Sequence, residues 1–325
     1  MIRERSERAR APVQDKLMRR LRLRHIELVE LLGTAGSLRV AAEQMNLSQP
    51  AVSKMLREIE AVFEVRLFER GKSGVVPTAA GDHAVRHCRV IHNEARLVAE
   101  AVASAVAGRG ALLRVGTFSA TAAVPAAIVH LRKSHPLAEV RLREGPAAAL
   151  VELLLQNEID CVVGSMPTGS ISQEILDRLT ARPFATDRLC IVAARSHKLA
   201  RRRRIAWPDL ADSQWILPPF SALLRQAFVG ACLQQQLAPP SPAVETVSAL
   251  TLQRLVLMDP GLLGVTRVEQ LRAELSAEVV ELPVMPRVGL PPLSLLTRRG
   301  AGSASELLEP FYLSLRRSVP ARLAV

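Results

Sequence analysis

The chain has 325 residues, of which 49% are hydrophobic and 23% are charged, and its formal net charge is +12. This apolar content excludes an intrinsically disordered chain, and the length allows two or three domains with separate cores. Residues 1–20 hold seven basic and three acidic residues, and residues 21–107 hold eleven and ten. Because the excess charge is spread along the chain, charge alone does not predict nucleic-acid binding.

The sequence predicts no secretory signal and no membrane-spanning segment. The N-terminus is charged and lacks an apolar core, and no stretch reaches the ~18 uninterrupted apolar residues that a spanning helix needs. The four cysteines form no CxxC pair, which favours reduced, buried thiols over a disulfide framework. We therefore expect a cytoplasmic protein that does not associate with membranes.

The N-terminal part predicts an all-α winged helix-turn-helix over residues 21–79, preceded by a flexible basic arm over residues 1–20. Apolar residues recur at three- to four-residue spacing in three short segments, as in amphipathic helices. Ser48 is expected to cap the third helix, residues 48–60, and Pro50 lies in its first turn, where a missing N–H costs nothing. Two short strands follow in "VRLFERGKSGVVPTAAG" and predict the wing.

Polar side chains of the third helix are predicted to face away from its apolar stripe, which is formed by Val52, Leu56, Ile59 and Phe63. A helix of this length fits the major groove of DNA, where each base pair offers a distinct pattern of donors and acceptors. The candidate base-reading residues are Gln49 for adenine, Pro50 for a thymine methyl group, and Ser53 and Lys54 for base edges. Ser48 and Arg57 suit phosphates, and in the wing Arg70 and Lys72 suit phosphates or a minor groove. The alternatives are a solvated helix face and a plain surface hairpin.

A long helix is predicted over residues 78–107, within a linker or dimerisation region over residues 80–109. Its apolar positions repeat at about 3.5 residues, which suits a partner helix; they are Val85, Cys88, Ile91, Ala95, Val98, Val102 and Val106. The same helix carries His83, His87, Cys88 and His92. Only pairs of these share a helix face, whereas zinc needs three or four converging ligands, so no metal site is predicted.

Residues 110–325 alternate between strand and helix, which predicts an α/β region with parallel strands and right-handed crossovers. We expect two Rossmann-like subdomains, the first from residues 110–164 and 268–325 and the second from residues 165–267. Ligands of such sheets bind at the carboxyl ends of the strands. The sequence therefore predicts a ligand cleft between the two subdomains.

Hydroxyl groups cluster where the first strand of this region meets its helix, at Thr117, Ser119 and Thr121. A helix start with free N–H groups favours a carboxylate or another anion, and helix capping is the alternative. Further candidates at strand ends are Glu144, Ser165, Phe220, Ser221, Thr246 and Thr266. Arg143 and Arg267 could neutralise an acidic ligand, although surface arginines are the commoner explanation.

The segment "LRHIELVELLGTAGSLRVAAEQMNLSQPAVSKMLREIEAVFEVRLFERGKSGVVPTAAG" resembles the DNA-binding domain of LysR-type transcriptional regulators. The α/β remainder resembles the effector-binding region of that family, two subdomains of the type 2 periplasmic-binding-protein kind. The resemblance implies homodimers or homotetramers that bend double-stranded promoter DNA and respond to a small-molecule co-inducer, commonly a small carboxylate or an aromatic acid, with contacts at Ser119 and Thr121. It implies no cofactor, and RNA polymerase is a further candidate partner.

Two other classes of function compete with the regulator. For an enzyme, the sequence offers no nucleophile elbow, no phosphate-binding glycine loop and no metal-ligand spacing, and the candidate bases are scattered. A cytoplasmic solute-binding or sensor protein without transcriptional output would explain the α/β region but not the helix-turn-helix. A transcriptional regulator explains both parts of the chain, so this is the function that the sequence predicts.

Overall fold

The computed structural model describes residues 19–71, 74–117, 122–166, 172–274, 276–300 and 305–319. Within these ranges the chain folds into two compact units, with the main division between Ala107 and Gly108. Most of the predicted basic arm, together with Lys72, Ser119 and Thr121, lies outside the described residues. No helix in the described part is both long and apolar enough to cross a membrane.

The first unit is helical apart from one hairpin, as the sequence predicts. Its elements are α1 (Leu23–Ala35), α2 (Leu38–Gln44), α3 (Gln49–Phe63), β1 (Phe68–Gly71), β2 (Gly74–Pro77) and α4 (Ala79–Val106). Hydroxyl side chains cap three of the helices: Ser37 accepts from the Val40 N–H, Ser48 from that of Ala51, and Thr78 from that of Gly81. The predicted cap at Ser48 is therefore confirmed.

The core of the first unit lies between α1, α2 and α3 and continues under the start of α4. Val52, Leu56 and Ile59 are buried on the predicted face of α3. In the last turn Val62 is buried and Phe63 is only half-buried, because the helix ends at Phe63 and the chain leaves through Glu64 in the left-handed region. This packing holds α3 by one face and leaves its other face outside the core.

The second unit alternates strands and helices. Its elements are β3 (Leu112–Thr117), α5 (Ala123–Ser134), β4 (Glu139–Glu144), α6 (Ala147–Leu155), β5 (Cys161–Ser165), α7 (Gln173–Leu176), β6 (Leu179–Ala194), β7 (Ile205–Ala206), β8 (Gln214–Leu217), α8 (Leu223–Gln234), β9 (Val244–Glu245), α9 (Ala249–Met258), β10 (Leu262–Arg267), α10 (Val268–Glu274), β11 (Val279–Glu281), β12 (Val284–Met285), β13 (Val288–Arg298) and α11 (Leu308–Ser318). Two 3₁₀ turns flank β7, at Lys198–Arg201 and Trp207–Leu210.

One mixed sheet runs through this unit in the order β4-β3-β5-β13-β6-β10-β8-β9, and β11 also pairs with β6. The strands β3, β4 and β5 are parallel to one another, and so are β8, β9 and β10. The long strands β6 and β13 run antiparallel between these two groups. The two parallel groups are the two predicted α/β subdomains.

The hydrophobic cores show which segments belong to each subdomain. The first core contains Phe184 and Leu295 together with β3, β5, α5 and α11. Two further cores pack on either side of β8 and β10, and they include Val268 and Leu282. The sequence assigned residues from 268 onward to the first subdomain, but α10 and β11 pack with the second. The chain passes back from the second subdomain to the first later than predicted, within β13. There the pairing of β13 with β6 is irregular between Leu290 and Leu293.

Candidate nucleic-acid interface and ligand cleft

The outward face of α3 is polar and is held by a capped, rigid helix. Gln49, Pro50, Lys54 and Arg57 are exposed, whereas Ser53 is half-buried. Ser48 is also exposed, and its Oγ accepts the Ala51 N–H at 3.3 Å, so this hydroxyl is partly used within the helix. All six predicted residues lie at the start of α3 or on its outward face. The face offers an amide, a hydroxyl, an ammonium and a guanidinium group within three turns of helix.

The wing hairpin lies against the end of α1. Its strands pair from Phe68 with Pro77 to Gly71 with Gly74, and Arg70 is exposed on the first strand. The Val75 N–H donates to the Gly36 carbonyl at 2.7 Å, next to the left-handed end of α1. Arg70 is therefore carried by a hairpin that is attached to the helical core.

Three residues that the sequence analysis did not select fix the wing relative to α3. The carboxylate of Glu60 accepts the backbone N–H groups of Leu67 at 2.8 Å and Phe68 at 3.2 Å. Thr78 donates through its hydroxyl to the Arg66 carbonyl at 2.9 Å, and Gly81 lies directly against the Leu67 carbonyl. These contacts give a physical role to the motif residues in "REIE", "LFER" and "PTAAG". The signal in the sequence was a glutamate in the last turn of a helix before a tight turn.

The long helix α4 is buried only near its start. Val85 and Cys88 pack in the core of the first unit, whereas Val98 and Val102 are exposed and Val106 is 85% exposed. His92 contacts the Glu30 carboxylate through Nδ1. Among the side chains that the structure describes, no three His, Cys, Asp or Glu residues are grouped closely enough to hold a metal ion.

All four cysteines are free and buried. Burial raises the pKa of the Cys88 thiol to about 11, with a smaller contribution from the Glu30 carboxylate. Burial also raises the pKa of Cys161 and of Cys232. A thiol with a raised pKa is a poor nucleophile at neutral pH, because the thiolate is the reactive form. Cys88, Cys161 and Cys232 therefore contribute to packing and offer no activated thiol.

The pairing of β6 with its neighbours shows that the carboxyl ends of both parallel groups lie beside the same segment of β6. Strand β5 ends at Ser165, which pairs with Leu293, and Leu293 in turn pairs with Ala185 of β6. Strand β10 ends at Arg267, which pairs with Leu189 of β6. The two groups run in opposite directions, so their carboxyl ends face each other across residues 185–189. In α/β sheets, ligands bind outside the carboxyl ends of the strands, so this is the position at which a ligand is expected.

The predicted ligand residues divide between buried and exposed positions. In the first subdomain, Thr117 and Ser165 are buried, and Thr117 pairs with the exposed Glu144. In the second, Phe220 and Ser221 are exposed after β8. Thr246 and Thr266 are already engaged: Thr246 Oγ1 accepts the Ser248 N–H at 3.1 Å, and Thr266 Oγ1 donates to Gln270 at 2.8 Å. The hydroxyl groups of Thr117 and Ser165 therefore lie at the strand ends of one subdomain.

Arg267 is buried, whereas most arginines lie on the protein surface. Its guanidinium is buried at the meeting point of the strand ends, where Nη1 donates to Ser165 Oγ at 2.9 Å and to Asp187 Oδ2 at 2.8 Å. The side chains of Arg267 and Asp187 are 7% and 0% exposed. This cluster joins the end of β5, the crossing strand β6 and the end of β10.

Glu269 makes a second contact between the subdomains. It lies in the first turn of α10, is buried, and accepts the Ala123 N–H through Oε1 at 2.9 Å. Ala123 begins α5 in the first subdomain, and no side chain of the N-cap residue Ala122 caps this helix. Glu269 therefore provides an acceptor at the helix start for which the sequence analysis expected an anionic ligand.

Two family models match the chain in separate regions. The model described as the bacterial regulatory helix-turn-helix protein of the lysR family matches residues 23–82. The model of the LysR substrate binding domain matches residues 107–318. The first model therefore falls within the first unit and ends near the start of α4, and the second spans most of the second unit.

Curated relatives carry regulator names. The transcriptional regulator GbpR of Azospirillum brasilense is 31% identical over 242 residues, which span 74% of this chain and 70% of that protein. The regulator GbpR of Rhizobium radiobacter is 27% identical over 236 residues, or 71% of this chain and 77% of that protein. Both likenesses extend well beyond the helix-turn-helix.

Solved structures share the fold of the whole chain. A full-length variant of OxyR from Pseudomonas aeruginosa has a TM-score of 0.63 and 20% identity, covering 94% of this chain and 98% of that chain. Full-length CbnR complexed with its target DNA has a TM-score of 0.59 and 20% identity, covering 92% of this chain and all of that chain. The family model of the LysR substrate binding domain, which matches residues 107–318, covers more than half of the sequence. This chain belongs to the LysR family of transcriptional regulators and is not an enzyme.

Proposed function

We propose that α3 reads operator DNA in the major groove, that α4 pairs two copies of the chain, and that a small-molecule effector binds the cleft at residues 185–189. The single observation that carries the DNA-binding part is the exposed polar face of the capped helix α3. In this arrangement Gln49, Ser53 and Lys54 read base edges and Pro50 packs on a thymine methyl group. Ser48, Arg57 and Arg70 contact phosphates. Lys72, which lies two residues after Arg70 in the sequence, is proposed to contact phosphates or the minor groove as well.

The charge pattern of α3 supports this division of roles. Lys54 Nζ lies 4.0 Å from the Glu58 carboxylate, and both side chains are at least half exposed, so this ion pair is weak and easily exchanged. Arg57 Nε donates to the Ser53 carbonyl at 3.3 Å, which aligns the guanidinium along the helix. A cation held in this way positions the protein on the DNA backbone, whereas the amide of Gln49 distinguishes one base pair from another.

Replacing Gln49 with alanine should lower discrimination between the operator and a scrambled sequence by about 1–3 kcal/mol, because one bidentate base contact is lost. The measurement is a gel-shift titration of the full chain with DNA from upstream of its own gene, in moderate salt and with excess nonspecific competitor. Gln234→Ala is the matched control, since Gln234 is also an exposed helical glutamine but lies at the end of α8. A wild-type chain that binds operator and scrambled DNA equally would refute the assignment.

Arg57→Ala provides a contrast within the same titration. It should weaken operator and scrambled DNA to a similar extent and reduce the dependence of log K on log salt by about one phosphate contact. If Arg57→Ala changed discrimination while Gln49→Ala changed only overall affinity, the proposed roles of the two residues would be reversed.

The dimer part rests on the exposed apolar residues of α4. Val98, Val102 and Val106 repeat every four residues on a helix that has no core beneath this stretch within the first unit. Pairing two such helices removes these side chains from water and brings two copies of α3 to a two-fold-related site. Tetramers, the bending of promoter DNA and contacts with RNA polymerase remain predictions.

The effector part rests on the cluster that joins the subdomains. Arg267 and Glu269 each contact the opposite subdomain. A ligand bound between the two subdomains would therefore favour one relative arrangement of the subdomains over another. The ligand shifts DNA binding only as far as its affinities for the two arrangements differ. Hydroxyl groups of Thr117 and Ser165, with Ser119 and Thr121 from the sequence, are the proposed contacts on one side. Glu144, Phe220, Ser221, Thr246 and Thr266 complete the proposed cleft.

A further inference from the structure

A strongly basic segment lies on the surface of the second subdomain, between β6 and β7. It consists of residues 195–204, which we call the basic turn, and its exposed cations are Arg195, Lys198 and Arg201–Arg204. Residues 195–212 hold six basic and two acidic residues. These 18 residues therefore carry a net charge of +4, which is a third of the formal net charge of +12 of the whole chain.

The elements beside the basic turn do not neutralise it. Residues 278–287 are its neighbours, because β7 pairs with β12 and the Arg195 N–H donates to the Glu278 carbonyl at 2.7 Å. The ionisable groups that this neighbourhood adds are Glu278, Glu281, Arg287 and Arg188, which pairs with Glu281. Two acidic and two basic groups cancel, so the local excess remains at four positive charges.

Most of the guanidinium groups in the run have no carboxylate partner. Arg202 Nη1 lies 3.4 Å from Asp209 Oδ1, and both side chains are more than a third exposed, so this ion pair is weak. Among the residues that the structure describes, none forms an ion pair with Arg201, Arg203 or Arg204. Elsewhere on the same unit, the paired arginines include Arg141 with Glu139 and Arg182 with Glu309. The chain itself therefore leaves three adjacent positive charges of the basic turn without a partner.

Buried anchors on both sides fix the backbone of the arginine run. Leu199 and Ile205 are buried and pack in the core of the second subdomain. The Ile205 N–H donates to the Pro283 carbonyl at 3.0 Å, and the Arg202 N–H donates to the Leu199 carbonyl at 3.1 Å. His197 Nδ1 accepts the Leu199 N–H at 3.1 Å at the start of the 3₁₀ turn. Because this backbone is already ordered, a partner that binds the arginines does not have to order it.

The composition of the basic turn favours a phosphate backbone over other anionic partners. Single-stranded nucleic acids stack their bases on aromatic side chains, but the neighbouring Trp207 is buried and its Nε1 donates to the Pro286 carbonyl at 3.0 Å. Protein partners are usually held by a cluster of aromatic or aliphatic anchors. The exposed side chains of the basic turn are instead a serine and six cations, and Met285, which pairs with Ala206, adds one exposed apolar group. Guanidinium groups match the phosphate geometry directly.

We propose that the basic turn is a second DNA-binding surface, which contacts phosphates of the double-stranded DNA that flanks the operator. Contacts with phosphates carry no sequence information, so the basic turn adds affinity and salt dependence to the base-specific contacts of α3. The proposal goes beyond the reading of the operator by α3 and rests on it only for where the flanking DNA begins. It assigns a function to a segment of the effector-binding unit that lies outside the ligand cleft.

The test compares the full-length wild-type chain with the variant Arg201→Ala/Arg203→Ala/Arg204→Ala. Both are titrated by gel shift on the operator alone, as delimited by footprinting, and on the operator extended on both sides by scrambled sequence. The salt concentration is varied between about 50 and 200 mM. For wild type, the slope of log K against log salt should be steeper on the extended fragment. In the variant this extra slope should fall by about two to three, because each phosphate contact contributes about 0.9.

Two further variants separate a local contact from a change in net charge or in folding. Arg201→Lys/Arg203→Lys/Arg204→Lys keeps the charges and should retain most of the extra slope. The dispersed variant Arg132→Ala/Lys133→Ala/Arg254→Ala removes three exposed cations of α5 and α9 and should retain it fully. Equal losses in the dispersed variant and in the alanine variant of the basic turn would overturn the proposal. So would a wild-type chain with the same slope on both fragments.

The outcomes for α3 and for the basic turn are separable. A wild-type chain that prefers no sequence, but whose salt slope on scrambled DNA falls in the alanine variant, would refute base reading by α3 and support the basic turn. An alanine variant that binds both fragments as wild type does, but no longer recruits RNA polymerase, would assign the basic turn to an acidic protein surface and overturn the proposal.

Discussion

Replacing Arg267 with methionine is expected to lower the free energy of unfolding by about 3–5 kcal/mol. The substitution leaves the Asp187 carboxylate, whose side chain is fully buried, without its guanidinium partner. It also removes the donor to Ser165 Oγ. The measurement is urea denaturation followed by tryptophan emission. Both tryptophans, Trp207 and Trp215, pack in the core of the second subdomain, so the signal reports on the subdomain that carries Arg267.

Two variants distinguish this ion pair from a general effect of losing an arginine. Arg141→Met removes a guanidinium from an exposed pair with Glu139 and should change stability by no more than about 1 kcal/mol. The double variant Arg267→Met with Asp187→Leu should recover much of the loss, since apolar residues can replace a buried pair. If Arg267→Met lowered the free energy of unfolding no more than Arg141→Met, the buried cluster would not stabilise the junction of β5, β6 and β10.

Replacing Gly81 with alanine is expected to destabilise the first unit by about 3 kcal/mol, although alanine is the better helix former. A Cβ at Gly81 would lie 1.9 Å from the Leu67 carbonyl oxygen, and a backbone atom cannot move aside without displacing the turn before β1. Because this turn joins α3 to the wing, affinity for operator DNA should fall as well. Thermal unfolding followed by circular dichroism, together with gel shifts, tests both effects.

Gly230→Ala is the matched control for this prediction. Gly230 lies inside α8, and a Cβ there would meet no atom within 4 Å. Alanine should therefore raise stability by about 0.5–1 kcal/mol, through the ordinary difference in helix propensity. Two glycine-to-alanine changes in helices are thus expected to have opposite signs. Stabilisation by both would mean that the contact between α4 and the turn at Leu67 is loose.

The helix-turn-helix was predictable because its determinants are close together in the sequence. The cap at Ser48 and the apolar stripe of α3 involve residues three to four positions apart, and spacing of this kind is visible without a structure. Glu60 was missed although its partners, Leu67 and Phe68, are only seven and eight residues away. A glutamate in the last turn of a helix is only a weak signal for such a role, because most glutamates at this position are solvated.

The sequence predicted that strand ends of the two subdomains face each other, but it did not predict which buried side chains meet there. Alternating strands and helices place the strand ends at a cleft, and this is independent of which side chains meet there. The contact between Ala123 and Glu269 joins residues 146 positions apart, and that between Arg267 and Asp187 joins residues 80 apart. Both depend on how β6 and β13 cross between the subdomains. The crossing itself was placed too early, because the strand pattern of β11 fits either subdomain.

Strand β6 limits how this chain can change length. Its first part pairs with β13 in one core, and its last part pairs with β10 and β11 in others. Side chains alternate across it, with Leu189 and Ile191 in one layer and Cys190 and Val192 in the next. A single inserted residue between Ala185 and Leu189 would exchange these layers and shift the register with every partner downstream. Insertions and deletions in this strand are therefore expected to be eliminated.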